Sequence, residues 1–272
     1  MRALLGILLS LACLSMVQAQ DKGVYFALSS GFGVHTLKYD LTNGRNNAGS
    51  GYLFESSIGY LVTPRWGLQT GFGLITCRST SSLNLMTASA EIDADNDSYE
   101  LRTYYKNWTE QQAMTFIGIP LNLVLRTPPA GRFRLNATLG ASLLIPIEST
   151  YSVSSGEIVT SGYYSQWDVE IFNAPRHGWL TVTDRFKGNN SLNPSLMLSE
   201  SLSGAYRFTN GVEGFLGVYL QYGINNVVNP STNEVYSNGQ YHSMLESQQV
   251  KWAVPFLVGV KMGVNLYIHP KH

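Results

Sequence analysis

The sequence has few charged residues, few cysteines and, after its first residues, no long apolar run. Only 13% of its 272 residues are charged, while 12% are aromatic and 26 are glycine. A soluble domain usually has about twice that share of charge. The 18 basic and 18 acidic residues cancel, so the chain lacks the basic excess that binds nucleic acid. We therefore expect a largely apolar surface and no nucleic-acid partner.

Residues 1–19 have the features of a secretory signal peptide. Arg2 supplies the positive start, residues 4–17 form the apolar stretch, and Ala19 ends a small-residue cleavage site. The stretch is too short, and its flanks are wrong, for a membrane span. We expect an exported chain whose mature domain is residues 20–272.

The two cysteines exclude a disulfide scaffold. Cys13 lies in the leader and raises a lipoprotein alternative, although Ser10 stands where that motif has leucine. After cleavage Cys77 remains alone, so an internal disulfide cannot form. No later stretch approaches the roughly 20 apolar residues of a membrane helix, so strands must cross any bilayer.

The segment TFIGIPLNLVLRTPPAGRFRLNATLGASLLI, residues 115–145, places apolar residues at every second position around a Pro/Gly turn. A period of two indicates strands with different environments on their two faces. Similar alternation occurs at about 23–38, 51–62, 66–78, 195–208, 212–224 and 249–268. With the two runs of the quoted segment, these make eight predicted strands.

The predicted connections alternate in length. Short turns (TPR, TPPAG, TNG) alternate with long connections at about 39–50, 79–112, 148–193 and 225–248. This pattern predicts an all-β fold, an eight-stranded antiparallel up-and-down transmembrane β-barrel with short periplasmic turns and long extracellular loops. A soluble β-sandwich or lipocalin-like barrel is the alternative, and ten strands would result if part of residues 179–186 joined the wall.

Two segments resemble a known family. FIGIPLNLVLR, residues 116–126, resembles the strand motif aromatic-x-x-Ile-Pro-Leu-x-Leu of the small outer-membrane β-barrel domain family related to the OmpA and OmpX barrels. VGVKMGVNLYI, residues 258–268, resembles a closing strand of that family. The resemblance implies a multi-pass protein in the outer membrane of a Gram-negative bacterium. No peptidoglycan-binding domain follows the barrel, so cell-wall tethering is not implied.

Polar residues alternate with the apolar rows and are expected inside the barrel. We predict an interior network of Glu55, Gln69, Asn122, Arg134, Glu213, Lys251 and Lys261. An eight-stranded barrel is just wide enough for side chains to fill, and buried charges must be paired. Glu55 and Glu213 should therefore pair with Arg134, Lys251 or Lys261. This network predicts a structural plug, and the alternative is a narrow pore.

Glu200 and Tyr267 each require a specific expectation about the barrel surface. Glu200 is in phase with Leu198 and Leu202, which face lipid, so a β-bulge near residues 199–201 is expected to turn it inward. Tyr267, near the end of the last strand, is expected in an aromatic girdle at the membrane surface.

The loop sequence EIDADNDSYE is a weak candidate for a cation site. Asp93, Asp95 and Asp97 alternate as oxygen ligands, but Ser98 stands where a calcium loop needs glycine. We expect a solvated acidic loop, no resident metal and no cofactor.

The third long loop is rich in aromatic residues, including Tyr163, Tyr164, Trp167 and Trp179. Such a cluster suits a binding surface, and it equally suits strands that continue as a raised sheet. We expect a structural or surface-binding role through the loops, with a transport channel as the alternative. An outer-membrane enzyme is less favoured, because no spacing motif links a nucleophile to a base. The expected partners are outer-membrane lipid, lipopolysaccharide and an extracellular ligand, with the chain itself a monomer.

Overall fold

The computed structural model describes residues 22–41, 44–237 and 239–268, so the predicted signal peptide lies outside the described residues. Eight long antiparallel strands form a closed wall, in which each strand pairs with its neighbours in the chain and the last pairs with the first. Closure gives every wall strand two partners, as a bilayer requires. The wall strands are β1 (Gly23–Tyr39), β2 (Ser50–Leu61), β3 (Trp66–Ile92), β4 (Ser98–Arg126), β5 (Phe133–Tyr164), β6 (Ser195–Thr209), β7 (Val212–Gly223) and β8 (Ala253–Tyr267).

The apolar rows face outward on all eight strands. Phe72 and Leu121 are each 64% exposed, whereas Asn122, the residue after Leu121, is 8% exposed and faces the interior. A soluble barrel would have the opposite arrangement, with polar residues outside. The exposed apolar belt therefore faces lipid, and the barrel spans a membrane.

One end of the barrel carries the short connections, as predicted. Residues 62–65, 127–132 and 210–211 join β2 to β3, β4 to β5 and β6 to β7. In the first of them, the Thr63 backbone N–H donates to the carbonyl of Trp66. We call this the turn end, and we call the opposite, larger end the crown end.

Three wall strands continue far beyond the apolar belt. β3, β4 and β5 have 27, 29 and 32 residues. About 9 to 11 residues suffice to cross the hydrocarbon layer. The prediction that residues 79–112 form a loop is therefore wrong, because β3 and β4 stay paired up to a tight turn at residues 93–97. Above the membrane both faces of the sheet tolerate polar residues, so the apolar alternation that marks a lipid-facing strand disappears there.

Smaller elements complete this raised region, which we call the crown (residues 44–48, 79–112, 148–193, 225–237 and 239–252). Short strands Val169–Phe172, Thr181–Val182 and Lys187–Asn189 pair along β5, and Gly44–Ala48 pairs with β3. Residues 179–186 thus extend the crown sheet and do not enter the wall, which settles the strand number at eight. The remaining elements are the strands Tyr236–Ser237 and Gln240–Tyr241 and the 3-10 turns Pro175–His177 and Met244–Glu246.

Within the described residues, no helix has the length and apolar character needed to cross a membrane.

The loop between β7 and β8 folds over the mouth of the barrel. Its residues Val227, Leu245 and Val250 are almost fully buried in an apolar cluster with wall residues such as Phe116 and Leu144. A second cluster, around Trp108, lies in the crown. The first cluster fills the mouth of the barrel with apolar side chains.

Glu200 does not turn inward as predicted. β6 keeps continuous register there, with Glu200 opposite Leu220 on β7 and Leu139 on β5. In the described β6–β7 ladder the register shifts only between Arg207 and Thr209. Glu200 therefore stands exposed in the outward apolar row, because uninterrupted pairing preserves the phase of its neighbours.

Candidate functional site

The interior at the turn end is organised around Glu213, which is completely buried. Its carboxylate lies 3.1 Å from Arg126 Nη2 and 3.0 Å from Arg134 Nε. Asn265 Nδ2 and Tyr267 Oη also donate to it, at 3.3 and 3.1 Å. A carboxylate with two guanidinium partners and further donors is fully compensated in a low-dielectric interior.

The structure places the contact between Glu213 and Arg134 where the sequence suggested it, but the other partners differ. Arg126 is a further partner that the predicted network lacks, although its inward phase, shared with Asn122, indicates it. Tyr267 lies inside with Glu213 instead of in an outer girdle, because it is in phase with Asn265. Lys251, placed in the interior network by the sequence, is exposed and precedes β8 in the overlying loop. The prediction for Lys251 is wrong, because the alternating pattern begins at residue 249 whereas the paired strand β8 begins only at Ala253.

Halfway along the interior, polar side chains fill most of the space. Ser199 Oγ donates to Asn122 Oδ1 at 2.9 Å, and Gln69 bonds Ser57 and Tyr25. Between them lie two small cavities of about 20 and 40 Å³. Spaces of this size hold a few water molecules.

Glu55 and Lys261 both line these two cavities. They lie on β2 and β8, and the intervening strand β1 presents the small residues Ser29 and Gly31 opposite them. The interior therefore carries opposite charges at the same level, in a space too small for a solute.

At the base of the crown, Glu110 of β4 is completely buried and holds the loop between β7 and β8. Its carboxylate accepts hydrogen bonds from Tyr241 Oη at 2.6 Å, Ser243 Oγ at 2.9 Å and the Met244 backbone N–H at 3.1 Å. Gln112 Nε2 donates at 2.8 Å. All four donors are uncharged, and burial raises the pKa of Glu110 above its usual range.

The four loop aromatics proposed for binding divide into two pairs. Tyr164 and Trp179 are only 5% and 2% exposed, and their rings pack together with Tyr99 in the crown. Trp179 covers Gly162, where any side chain would collide with the indole. Tyr163 lies beneath the Arg102 guanidinium at 3.7 Å and Trp167 is 58% exposed, so these two remain surface residues.

The side chain of Asp93 stabilises the acidic turn at residues 93–97 between β3 and β4. Asp93 Oδ1 accepts from the backbone N–H groups of Asp95 and Asp97, at 3.0 and 2.9 Å, and Oδ2 accepts from Tyr164 Oη at 2.8 Å. These hydrogen bonds lower the pKa of Asp93. Among the described residues, no three acidic, histidine or cysteine groups converge to hold a metal, so the candidate cation site does not form.

The crown instead contains a cleft of about 650 Å³. One wall is the raised sheet of β3, β4 and β5, and the other is formed by residues 232–237 and 239–242 of the loop between β7 and β8. Small-molecule sites usually have volumes of about 300–1,000 Å³. Its most distinctive lining residues are Glu91, Tyr99, His177, Glu234, Tyr236 and His242. No sequence pattern indicates this cleft, because its walls come from segments that are distant in the chain: Glu91 and Glu234 are 143 positions apart.

No protein-family model matches the sequence, and no curated protein does. Among solved structures, the chain is similar to Neisserial surface protein A, at 12% identity over 91% of this chain and 100% of that chain, with a TM-score of 0.37. It is similar to the outer membrane protein OprG from Pseudomonas aeruginosa, at 10% identity over 93% and 100%, with a TM-score of 0.43. A third is Ail of Yersinia pestis in complex with a heparin analogue, at 10% identity over 90% and 98%, with a TM-score of 0.31. These are similarities to small outer-membrane barrel proteins, and at these values no ligand or activity transfers to this chain.

Proposed function

We propose that this chain is an integral outer-membrane protein whose barrel is closed to solutes and whose crown binds a ligand outside the cell. One observation carries the proposal. The lipid-facing wall encloses an interior with two small cavities of about 20 and 40 Å³, while a cleft of about 650 Å³ lies above the membrane in the crown.

The proposed orientation places the short connections on the periplasmic side, as in outer-membrane barrels. The described residues begin and end at the turn end, where the backbone N–H of Ile268 donates to the carbonyl of Val24. A chain exported through a signal peptide starts assembly from the periplasm, so the turn end belongs there. The crown then faces the exterior.

The closed interior favours a plug over the alternative of a transport channel. A channel that selects ions presents rings of one charge sign along an open path. Here Glu213 is compensated by Arg126 and Arg134, and the crown mouth is filled by apolar side chains. Opening a path would require breaking the turn-end network and lifting the loop that carries Leu245.

The membrane partners proposed are outer-membrane lipid and lipopolysaccharide. Lys38, Arg78 and Lys251 are exposed near the crown end of the apolar rows on β1, β3 and β8. Cations at this level suit the phosphate groups of outer-leaflet lipids. We propose a monomer surrounded by lipid.

Single-channel conductance of the refolded chain in a planar bilayer tests closure. We expect no current steps above the background of protein-free bilayers. An open porin of known conductance, refolded in parallel, controls for insertion. Reproducible steps would contradict the closed barrel and favour the channel.

Labelling of intact cells with a membrane-impermeant maleimide tests orientation. Asp95→Cys, in the crown turn, should react, and Asn210→Cys, in a turn-end connection, should react only after the outer membrane is permeabilised. Cys77 is completely buried, so the parent chain provides a low background. The opposite labelling pattern would reverse the proposed orientation.

A further inference from the structure

The crown cleft has walls that are held in place before any ligand arrives. On the loop side, the backbone N–H of Tyr236 donates to Tyr105 Oη at 3.0 Å, and that of His242 donates to the Val235 carbonyl at 2.9 Å. Glu110 anchors the following turn to β4. The other wall is a paired sheet. A preformed cleft spares a ligand the cost of ordering its site.

The cleft carries negative charge. Glu91 and Glu234 both line it, and none of its described lining residues is lysine or arginine. Burial, and after it the charge of Glu91, raises the pKa of Glu234. Arg102, next to the lining residue Thr103, pairs with Glu100 and Glu170.

The cleft also offers aromatic and hydroxyl surface. Tyr99 and Tyr236 line it from opposite walls, and Thr103 and Thr160 also line it. The negative face of an aromatic ring attracts a cation, and carboxylates accept hydrogen bonds from ammonium groups. The volume greatly exceeds what a single metal ion needs, and no three metal ligands converge among the described residues.

We propose that this cleft binds a small organic cation bearing one or two ammonium groups. Glu91 and Glu234 hold the ammonium groups, and the rings of Tyr99 and Tyr236 contact the alkyl body. The inference rests on the proposed function, since it assigns a ligand class to the ligand-binding crown.

Isothermal titration of the refolded full chain with 1,5-diaminopentane tests the ligand class. We expect saturable binding of the diamine and no binding of 1,5-pentanediol, which has the same chain but no charge. Equal binding of the diol, or no binding of the diamine, would overturn the proposal. If the diol or a neutral sugar binds, the crown is still a ligand-binding site. Only the assignment of a cationic ligand class is then wrong.

Matched variants test the site. Glu91→Gln and Glu234→Gln should each weaken diamine binding by about tenfold or more, as expected when one charged hydrogen bond is lost. Asp95→Asn removes the same charge from an exposed crown turn outside the cleft, and it should bind like the parent chain. Unchanged affinity in both glutamine variants, with parental melting temperatures, would overturn the site. Conductance is measured on the same preparations, so failure of the closed barrel remains distinguishable from failure of the cleft.

Discussion

The chain buries two glutamates completely in two regions, and it compensates them differently. At the turn end, Glu213 faces two guanidinium groups, from Arg126 and Arg134. At the base of the crown, Glu110 faces only hydroxyl, amide and backbone N–H donors, among them Tyr241 and Ser243.

The two sets of partners indicate different roles: the network of Glu213 closes the turn end, and that of Glu110 anchors a loop. The partners of Glu213 come from β4, β5 and β8, strands already fixed by wall pairing. Most partners of Glu110 come from one loop that has no place in the wall ladder. Breaking a buried ion pair costs more than losing hydrogen bonds from uncharged donors. The turn end is therefore the firm closure, and the loop over the crown mouth is the part that can be released.

Glu213→Gln should have the largest effect on stability. It leaves two buried guanidinium groups without their carboxylate, at a cost of about 3–5 kcal/mol in the free energy of unfolding. Urea unfolding of the refolded protein, compared with the parent chain, measures the change. An unchanged midpoint would mean that the network does not hold the turn end together.

Glu110→Gln should have a smaller and local effect, about 1–3 kcal/mol. The amide NH₂ of glutamine would face donors in place of an acceptor oxygen. Hydrogen exchange should accelerate in residues 225–252 and stay unchanged in the wall strands. Uniform acceleration throughout the barrel would contradict the separation of the two regions.

The difference in stability between the parent chain and Glu110→Gln should depend on pH. Burial raises the pKa of Glu110 in the folded state above its unfolded value. Its contribution is therefore fully present below the unfolded pKa and is lost as pH rises through the folded pKa. The stability difference between parent and Glu110→Gln should shrink from acidic to alkaline pH. A difference that grows with pH would show that the hydrogen bonds outweigh burial.

Glu200→Leu extends the comparison to a carboxylate that faces lipid. Glu200 stands in the apolar row between Leu198 and Leu202, so its replacement should stabilise the barrel by about 1–2 kcal/mol. Unfolding in lipid vesicles measures the gain. A loss of stability would instead reveal a polar partner within the membrane.

Glu157→Gln provides the smallest expected effect. Glu157 pairs with Lys106 at 3.1 Å, with side chains 39% and 54% exposed to water. The loss should be about 0.2–1 kcal/mol and should diminish in high salt. A salt-independent loss comparable to that of Glu213→Gln would remove the distinction between buried and exposed pairs.

Most of the barrel wall could be predicted from the sequence. The rows around Leu121 and Leu216, and the turns TPR, TPPAG and TNG, correctly predicted eight strands and their short connections. The predictions failed where the surroundings changed. Strand pairing continues to Ile92 and Tyr164 without an apolar row, because water lies outside the sheet there. Lys251 fits the alternating pattern of β8, but it lies in the loop that precedes this strand.

The sequence by itself determined the lipid-facing belt, the inward polar phase and the closed antiparallel order, because a period of two and turn chemistry are local properties. Only the tertiary structure decided that Arg126 and Tyr267 join Glu213, that Glu110 holds the loop, and that Glu91 and Glu234 share a cleft. These contacts join residues 54 to 143 positions apart. Barrel closure and the path of a single loop set such distances, and no local pattern records them.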